Sequence, residues 1–342
     1  MSILASDGFD LYNVASATDH ITSIQDRWPT VSDNGTIEIV AGRYTGSKAI
    51  SIEGDGTNWT SIKKSLSVSG TKQYIFFNYK RAVNSGTNGK FEVLYGTNAN
   101  NFIRLQTVTG VAPKLQMQGM TDYTLPNDAN WHSVEVEINS TTITVQVDGV
   151  QVASFTGTGW TGAGLELRAL DSTEVWHIDD LVVLNDSGTS GNSWMRASGR
   201  VATLLPNAAG TDSGWNKTGG TSHLDTVDDV PADDATHLDG PSSSATHTFN
   251  YPSLDGSIQS VYGVNAIVRA ADPDSQSPTL YNAMDVESFN MFGSSVGSSL
   301  SLSASFKTFE TLFATDPIQS QDWSVSAVNG IEHGVYNEVG TV

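Results

Sequence analysis

Glu135 and Glu137 stand two apart in the run Trp131-His132-Ser133-Val134-Glu135-Val136-Glu137-Ile138. Paired carboxylates are the equipment of glycoside hydrolysis, and a retaining mechanism needs its two carboxyl groups about 5 Å apart. Residues i and i+2 of a strand share a face, with Cα atoms about 7 Å apart. No third acid follows in this strand, and Val134, Val136 and Ile138 claim the core side. Both glutamates are therefore expected on a solvated sheet face. Asp179-Asp180 suggests a calcium ligand pair, but adjacent strand residues point to opposite faces and share an ion only across a bulge. Turn or edge hydrogen bonds are the expectation there. The stretch from Asp225 to Asp239 is denser in carboxylates. Calcium takes six to eight oxygens, yet the glycine-centred spacing of a hand-type loop is missing. A solvated, mutually repulsive loop is favoured, with calcium as the alternative.

Histidines 20, 132, 177, 223, 237, 247 and 333 show neither His-x-His nor His-Glu-x-x-His spacing. There is no Gly-x-Ser-x-Gly elbow, phosphate loop or dinucleotide fingerprint. No catalytic, cofactor-binding or metal-ligating residue is assigned, and no enzyme activity is expected. Trp59, Tyr95, Trp160 and Trp215 lie in or near loops. Exposed rings there would stack on sugars or anchor an interface, but aromatics of a small sandwich more often plug its core.

The elements that must hold these residues are short strands. Trp131–Ile138 and Ile143–Val150 alternate around Asn139-Ser140-Thr141-Thr142, and Val147-Asp148-Gly149-Val150 turns the chain into Gln151–Phe155. This is an antiparallel meander with one apolar face. Phe9, Leu11, Val134, Val136, Ile138, Val145, Val147, Ile178 and Leu181 are its expected inner face. Further alternation marks residues 36–40, 49–52, 65–68, 74–77, 91–95 and 102–105, and Asn84–Gly89 has hairpin chemistry. The strand through Ile178-Asp179-Asp180-Leu181 should lie beside the N-terminal segment. Asn185–Ser193 is polar and Gly/Ser-rich. The expected division is a first β-sandwich over 1–186, a linker over 187–198 and a second sandwich or jelly roll over 199–342. In the second half, Ile258–Ala270 reads as one long strand, and Asp322–Ile331 as a turn or two of helix capped by Asp322 or Ser324.

Composition agrees with an all-β chain. Among 342 residues there are 32 glycines, and only 16% are charged. Cysteine is absent, which excludes disulfides and thiolate metal sites. No window is apolar enough to span a membrane as a helix. Met1–Asp7 lacks the basic and apolar regions of a secretory signal, so assembly in a cytoplasm is expected. The net charge of −20 opposes nucleic acid and anionic membranes.

The meander resembles the laminin G-like, concanavalin A-like β-sandwiches, which bind surfaces and sugars more often than they catalyse. In order along nearly the whole chain, Gly8-Phe9-Asp10-Leu11-Tyr12, Arg27-Trp28, Gly42-Arg43, Trp131-His132, Ile178–Leu184, Arg200–Asn207 with Trp215, Phe309-Glu310-Thr311, Thr315-Asp316-Pro317, Trp323 and Gly334-Val335 resemble a family of tailed-bacteriophage virion structural proteins. The resemblance implies a non-enzymatic virion component, tail-associated at tip, baseplate or fibre, with an adhesive or glycan-binding role. Its implied partners are other tail or capsid proteins and a host-surface glycan, in symmetric or homo-oligomeric copies, without nucleic acid or membrane. A head-decorating or head-fibre protein is the alternative; a lectin or polysaccharide hydrolase is the alternative of different class.

Overall fold

A computed structural model of the chain describes residues 2–12, 24–67, 71–82, 89–95, 101–108, 111–157, 160, 164–170, 175–186, 199–230, 232–272, 279–286 and 295–338. The expected 187–198 linker, the Asn84–Gly89 turn up to residue 88, and His20 lie outside these residues. The chain divides into two compact units, Met1–Val201 and Ala202–Val342.

Strands of the first unit are β1 (Ser2–Asp7), β2 (Thr30–Ser32), β3 (Thr36–Ala41), β4 (Lys48–Glu53), β5 (Thr60–Ser65), β6 (Lys72–Arg81), β7 (Lys90–Tyr95), β8 (Phe102–Val108), β9 (Val111–Met117), β10 (Tyr123–Thr124), β11 (His132–Asn139), β12 (Thr142–Val147), β13 (Val150–Thr156), β14 (Gly164–Ala169) and β15 (Trp176–Asn185). They form two antiparallel sheets. One runs β13-β12-β11-β6-β15-β4-β3, with β1 added on β15; the other runs β10-β9-β8-β7-β14-β5-β2. Their apolar faces meet in one core that includes Phe77, Val134, Val136, Ile178 and Leu181 from the first sheet and Val93, Ile103, Leu115 and Leu167 from the second. Each such side chain contributes roughly 1.5–3 kcal/mol by leaving water. This is an antiparallel β-sandwich.

The β12–β13 hairpin turns on Asp148 and Gly149, at φ 50° and 75°, as a type I′ turn requires. Val134 faces Val147 and Val136 faces Val145, so the valines of the meander point inward as its alternation predicts. Of the expected inner face only Leu11 is half-buried rather than buried.

Several expectations need correction. Glu135 is not solvated: it is 3% exposed. Its cross-strand partner on β6 is Phe76, and the outward-facing Tyr74, Phe76, Val182 and Leu184 are all buried. The sheet is thus covered on both faces at its middle, and the run Tyr74-Ile75-Phe76-Phe77 reports this by its lack of alternation. The opening strand is Ser2–Asp7, before Phe9 rather than through it; it pairs with Leu181–Asn185. The strand expected at 65–68 instead covers Thr60–Ser65. Gly199–Val201 belong with the first unit, because the Val201 N–H donates to Asp180 Oδ1 at 2.7 Å.

The second unit contains β16 (Ala208–Ser213), β17 (Asn216–Thr218), β18 (His237–Asp239), β19 (Ala245–Asn250), β20 (Val264–Ala270), β21 (Thr279–Val286), β22 (Ser295–Leu300), β23 (Lys307–Phe313), helix α1 (Val325–Asn329) and β24 (Ile331–Glu338). One sheet runs β16-β19-β24-β21-β22, and β17-β18 and β20-β23 form two ribbons. The long strand expected from Ile258 begins only at Val264. Ser324 caps α1 by accepting from Ala327 N–H at 3.0 Å. A small core gathers Ala266, Phe313, Trp323 and Val328. Gly334 lets β24 approach β19, since a Cβ there would lie 1.9 Å from the His247 carbonyl oxygen.

Candidate functional site

The outward face of the second sheet carries a transverse polar row. Register places Ser32 beside Ser61, Ser61 beside Arg168, Arg168 beside Glu92, Glu92 beside Arg104 and Arg104 beside Gln116. Alternation puts Phe91, Val93, Ile103, Leu105, Leu167 and Ala169 in the core, so their neighbours must face outward. Glu92 is fully buried beneath the two arginines. Arg104 Nε donates to its Oε1 at 2.6 Å, while Arg168 Nε and Nη2 donate to Oε2 at 2.8 and 2.5 Å. Each guanidinium also lies over an aromatic ring: Arg168 is 4.1 Å from Trp59 and Arg104 is 4.2 Å from Phe102. The result is an aromatic–arginine–glutamate–arginine–aromatic ladder. From β5 to β8 it crosses three strand spacings, about 14 Å, the length of a short oligosaccharide.

The loop before β5 fixes Trp59. Asp55 accepts from Thr57 N–H and Asn58 N–H at 2.7 and 2.5 Å, and these bonds hold its carboxyl below the ordinary range. Asn34 Nδ2 donates to the Trp59 carbonyl at 2.9 Å. Gly54 permits the loop to start hard against Leu170, where a Cβ would lie 2.2 Å from backbone. Trp59 is consequently half-buried, with its side chain at the edge of the ladder. Of the other loop aromatics, Tyr95 and Trp160 are core residues. Trp215 is half-buried in the second unit and donates to Ala245 O at 3.1 Å.

Asp179 and Asp180 do occupy a bulge. The β15–β6 register shifts between Asp179 and Val182, and Asp180 has φ 53°. The bulge falls where the edge partner of β15 changes from β4 to β1. Both residues are buried. Asp179 accepts from Arg43 N–H and Asp180 N–H at 2.8 and 2.7 Å; Asp180 accepts from Asn78 Nδ2 and Val201 N–H, both at 2.7 Å. Burial raises both carboxyls above their ordinary range. Asp180 adds to the rise at Asp179, while the hydrogen bonds at each oppose it. The pair clasps the Gly42-Arg43 turn, β6 and the 199–201 segment together.

Asp7 explains the Gly8–Tyr12 and Arg27-Trp28 motifs. It is buried and accepts from Phe9 N–H at 2.9 Å, Tyr12 O–H at 2.5 Å, Trp28 Nε1 at 2.9 Å and Arg27 Nη1 at 3.0 Å. Arg27 Nη2 also donates to Ser6 O at 3.0 Å. His132 lies between Asp148 and Asp128, at 2.7 and 2.9 Å. Burial alone would lower its pKa, but the two carboxylates outweigh burial and raise it.

Carboxylates of the 225–239 stretch take partners both near and far in sequence. Asp225 accepts from Thr221 and Ser222 N–H, both at 3.1 Å. Asp234 accepts from Arg269 Nε and Nη2 at 2.7 and 2.8 Å. Among the described residues no three His, Asp or Glu side chains converge as metal ligands. Glu137 is half-buried, with Lys72 Nζ 3.7 Å away.

Sequence reading did not single out Glu92, Arg104 or Arg168. Each lies on an alternating strand, and the opposite signs were a signal. Their juxtaposition, however, needs the pairing of Glu92 with Arg168, 76 residues apart.

A laminin G domain family model matches residues 85–178 of the chain, which include β7 through β14 and the start of β15. No curated protein matches in sequence. Among solved structures, the globular domain of T. cruzi calreticulin is similar at 10% identity and TM-score 0.38, over 54% of this chain and 88% of that one. A conserved carbohydrate esterase from the Shiga toxin-encoding bacteriophage phi24B is similar at 14% identity and TM-score 0.38, over 54% and 99%. Domain 4 of AbnA, a GH43 arabinanase from Geobacillus stearothermophilus in complex with arabinotriose, is similar at 20% identity and TM-score 0.36, over 53% and 91%.

Proposed function

We propose that this chain is a non-enzymatic structural and adhesive protein of a tailed-bacteriophage particle, tail-associated, whose first unit holds a surface glycan on the outward face of its second sheet. The observation that carries the adhesive reading is the ladder Trp59–Arg168–Glu92–Arg104–Phe102. Rings at both ends suit the apolar faces of sugars, and fixed guanidinium donors between them suit hydroxyl or carboxylate oxygens. The virion assignment is supported by the ordered sequence motifs from Gly8 to Val335. Symmetric copies attached through protein contacts follow from that assignment, and the net charge of −20 opposes attachment through nucleic acid or anionic lipid.

A reconstruction of the particle that carries this chain tests the virion reading. Symmetric copies on a tail protein are the expected result. Copies only on the capsid would favour head decoration, and a position against packaged DNA alone would refute the reading. Polysaccharide turnover that disappears with Glu135→Gln or Glu137→Gln would refute the non-enzymatic part.

A further inference from the structure

We infer that His132 is a proton-operated staple: charged, it ties the Asp128 turn to the β12–β13 hairpin, and neutral, it lets the Asp128 turn go.

Placement is the first argument. His132 opens β11 and pairs with Tyr79 on β6. Val134 and Val136 face the core, so strand alternation carries the imidazole to the same face, at the rim where the core ends. The His132 and Tyr79 ring centroids lie 5.6 Å apart. Two carboxylates reach the ring there from different elements. Asp148 comes from the β12–β13 turn, and Asp128 from the turn that precedes β11.

Hydrogen-bond chemistry is the second argument. His132 Nδ1 lies 2.7 Å from Asp148 Oδ2, and Nε2 lies 2.9 Å from Asp128 Oδ1. An ionised carboxylate only accepts, and a neutral imidazole carries one N–H. Only the imidazolium donates to both. A neutral ring would set a bare nitrogen against a carboxylate oxygen. The titratable groups facing the ring are Asp128, Asp148 and Tyr79. Burial holds the Tyr79 phenol above its ordinary range, so it stays neutral. The His132 bond holds Asp128 below the ordinary carboxylate range, so it stays ionised. Burial of the imidazole opposes its charge, but the hydrogen bonds and charges of the two aspartates override burial and raise its pKa.

The two bonds differ in what else secures them. Asp148 occupies the hairpin turn at φ 50° and accepts from Ser133 N–H at 2.9 Å. The Asp128 side chain is 46% exposed. Its other bond, from Asn130 N–H at 2.8 Å, lies within its own turn. That turn is tethered to β6 through Arg81 Nη1, which donates to Asn127 Oδ1 at 2.6 Å. A neutral ring therefore keeps its N–H on Asp148 and frees Asp128, and the turn loosens from Asp128 to Asn130. Because the folded pKa is raised, the staple is complete below about pH 6.5 and is lost as pH rises through the folded value.

Nuclear magnetic resonance of the full chain with labelled histidine rings tests the staple. His132, assigned by comparison with His132→Gln, is expected to be protonated on both ring nitrogens at pH 6.5 and to titrate with a midpoint above that value. Backbone order parameters of Asp128–Asn130 are expected to fall across the titration, while those of Asp148 and Gly149 hold. Asp128→Asn removes one carboxylate; it should lower the midpoint and abolish the pH dependence of the turn. The same variant assigns the ring should His132→Gln fail to fold. A midpoint at or below 6.5 would overturn the inference. So would a turn whose order is unchanged across the midpoint, or one whose pH dependence persists in Asp128→Asn.

Discussion

Asp7→Ala removes the buried carboxylate on which four donors of the N-terminal segment converge. The carboxylate is 3% exposed and its partner Arg27 is 6% exposed, so solvent screens neither. Four donors lose their partner at once: Phe9 N–H, Tyr12 O–H, Trp28 Nε1 and Arg27 Nη1. Deleting one member of a buried ion pair costs about 3–5 kcal/mol, chiefly because the other charge stays buried without it. For a unit of this size each kcal/mol moves Tm by about 2–4 °C, so a fall of roughly 6–20 °C is expected. Differential scanning calorimetry of the full chain reads it, and hydrogen exchange assigns the loss to β1 and the Arg27-Trp28 segment. The double variant Asp7→Ala with Arg27→Met removes the buried guanidinium as well and should recover part of the loss. A shift below about 2 °C, or a double variant no better than the single, would show that Asp7 does not organise this corner.

Asp179 and Asp180 are held above the ordinary carboxylate range, so the folded chain binds their protons more tightly than the unfolded chain does. The stability they contribute is complete below the ordinary range, near pH 4, and fades as pH rises through neutrality. Tm followed from pH 5 to 9 should fall less steeply in Asp179→Asn than in the parent, and an unchanged slope would contradict the assignment. In the second unit burial lowers His247 and His333 to about 4, with His223 adding to the shift at His247. Their contribution is present above about pH 6.5 and lost as pH falls toward 4; protection factors in β19 and β24, exchange rates corrected for the intrinsic pH dependence, should fall over that interval. Gly334→Ala forces a Cβ into the His247 carbonyl, and should remove the cooperative transition of the second unit while leaving that of the first in place.

Alternation was the legible part of the first unit. Val134, Val136, Val145 and Val147 announce an inner face by their period of two, and Asp148-Gly149 announces the hairpin. Glu135 misleads because alternation says which face a residue takes, not whether that face is covered. The neighbouring run Tyr74–Phe77, apolar at every position, held that information. The Asp179–Asp180 bulge is invisible to a period of two, since it interrupts the period and depends on β15 changing partners from β4 to β1. Asp7, Arg27 and Trp28 were legible only as a motif; their common centre needs three-dimensional closure across a separation of about twenty residues. The Glu92 ladder was least legible, because β14 must return from 76 residues away to lie beside the consecutive β7 and β8, and each of the three strands supplies one ordinary exposed-type charge. Only their register makes a surface of them.

The central claim is that the outward face of the second sheet is the binding surface. Hydrogen exchange of the full chain, with and without a bound surface polysaccharide from the host bacterium, tests it most directly. Protection is predicted at residues 59–63, 90–94, 102–106 and 164–168, and Trp59→Ala should abolish it together with binding. Protection confined to the second unit, or to the β12–β13 edge of the first sheet, with those four segments unchanged, would contradict the claim.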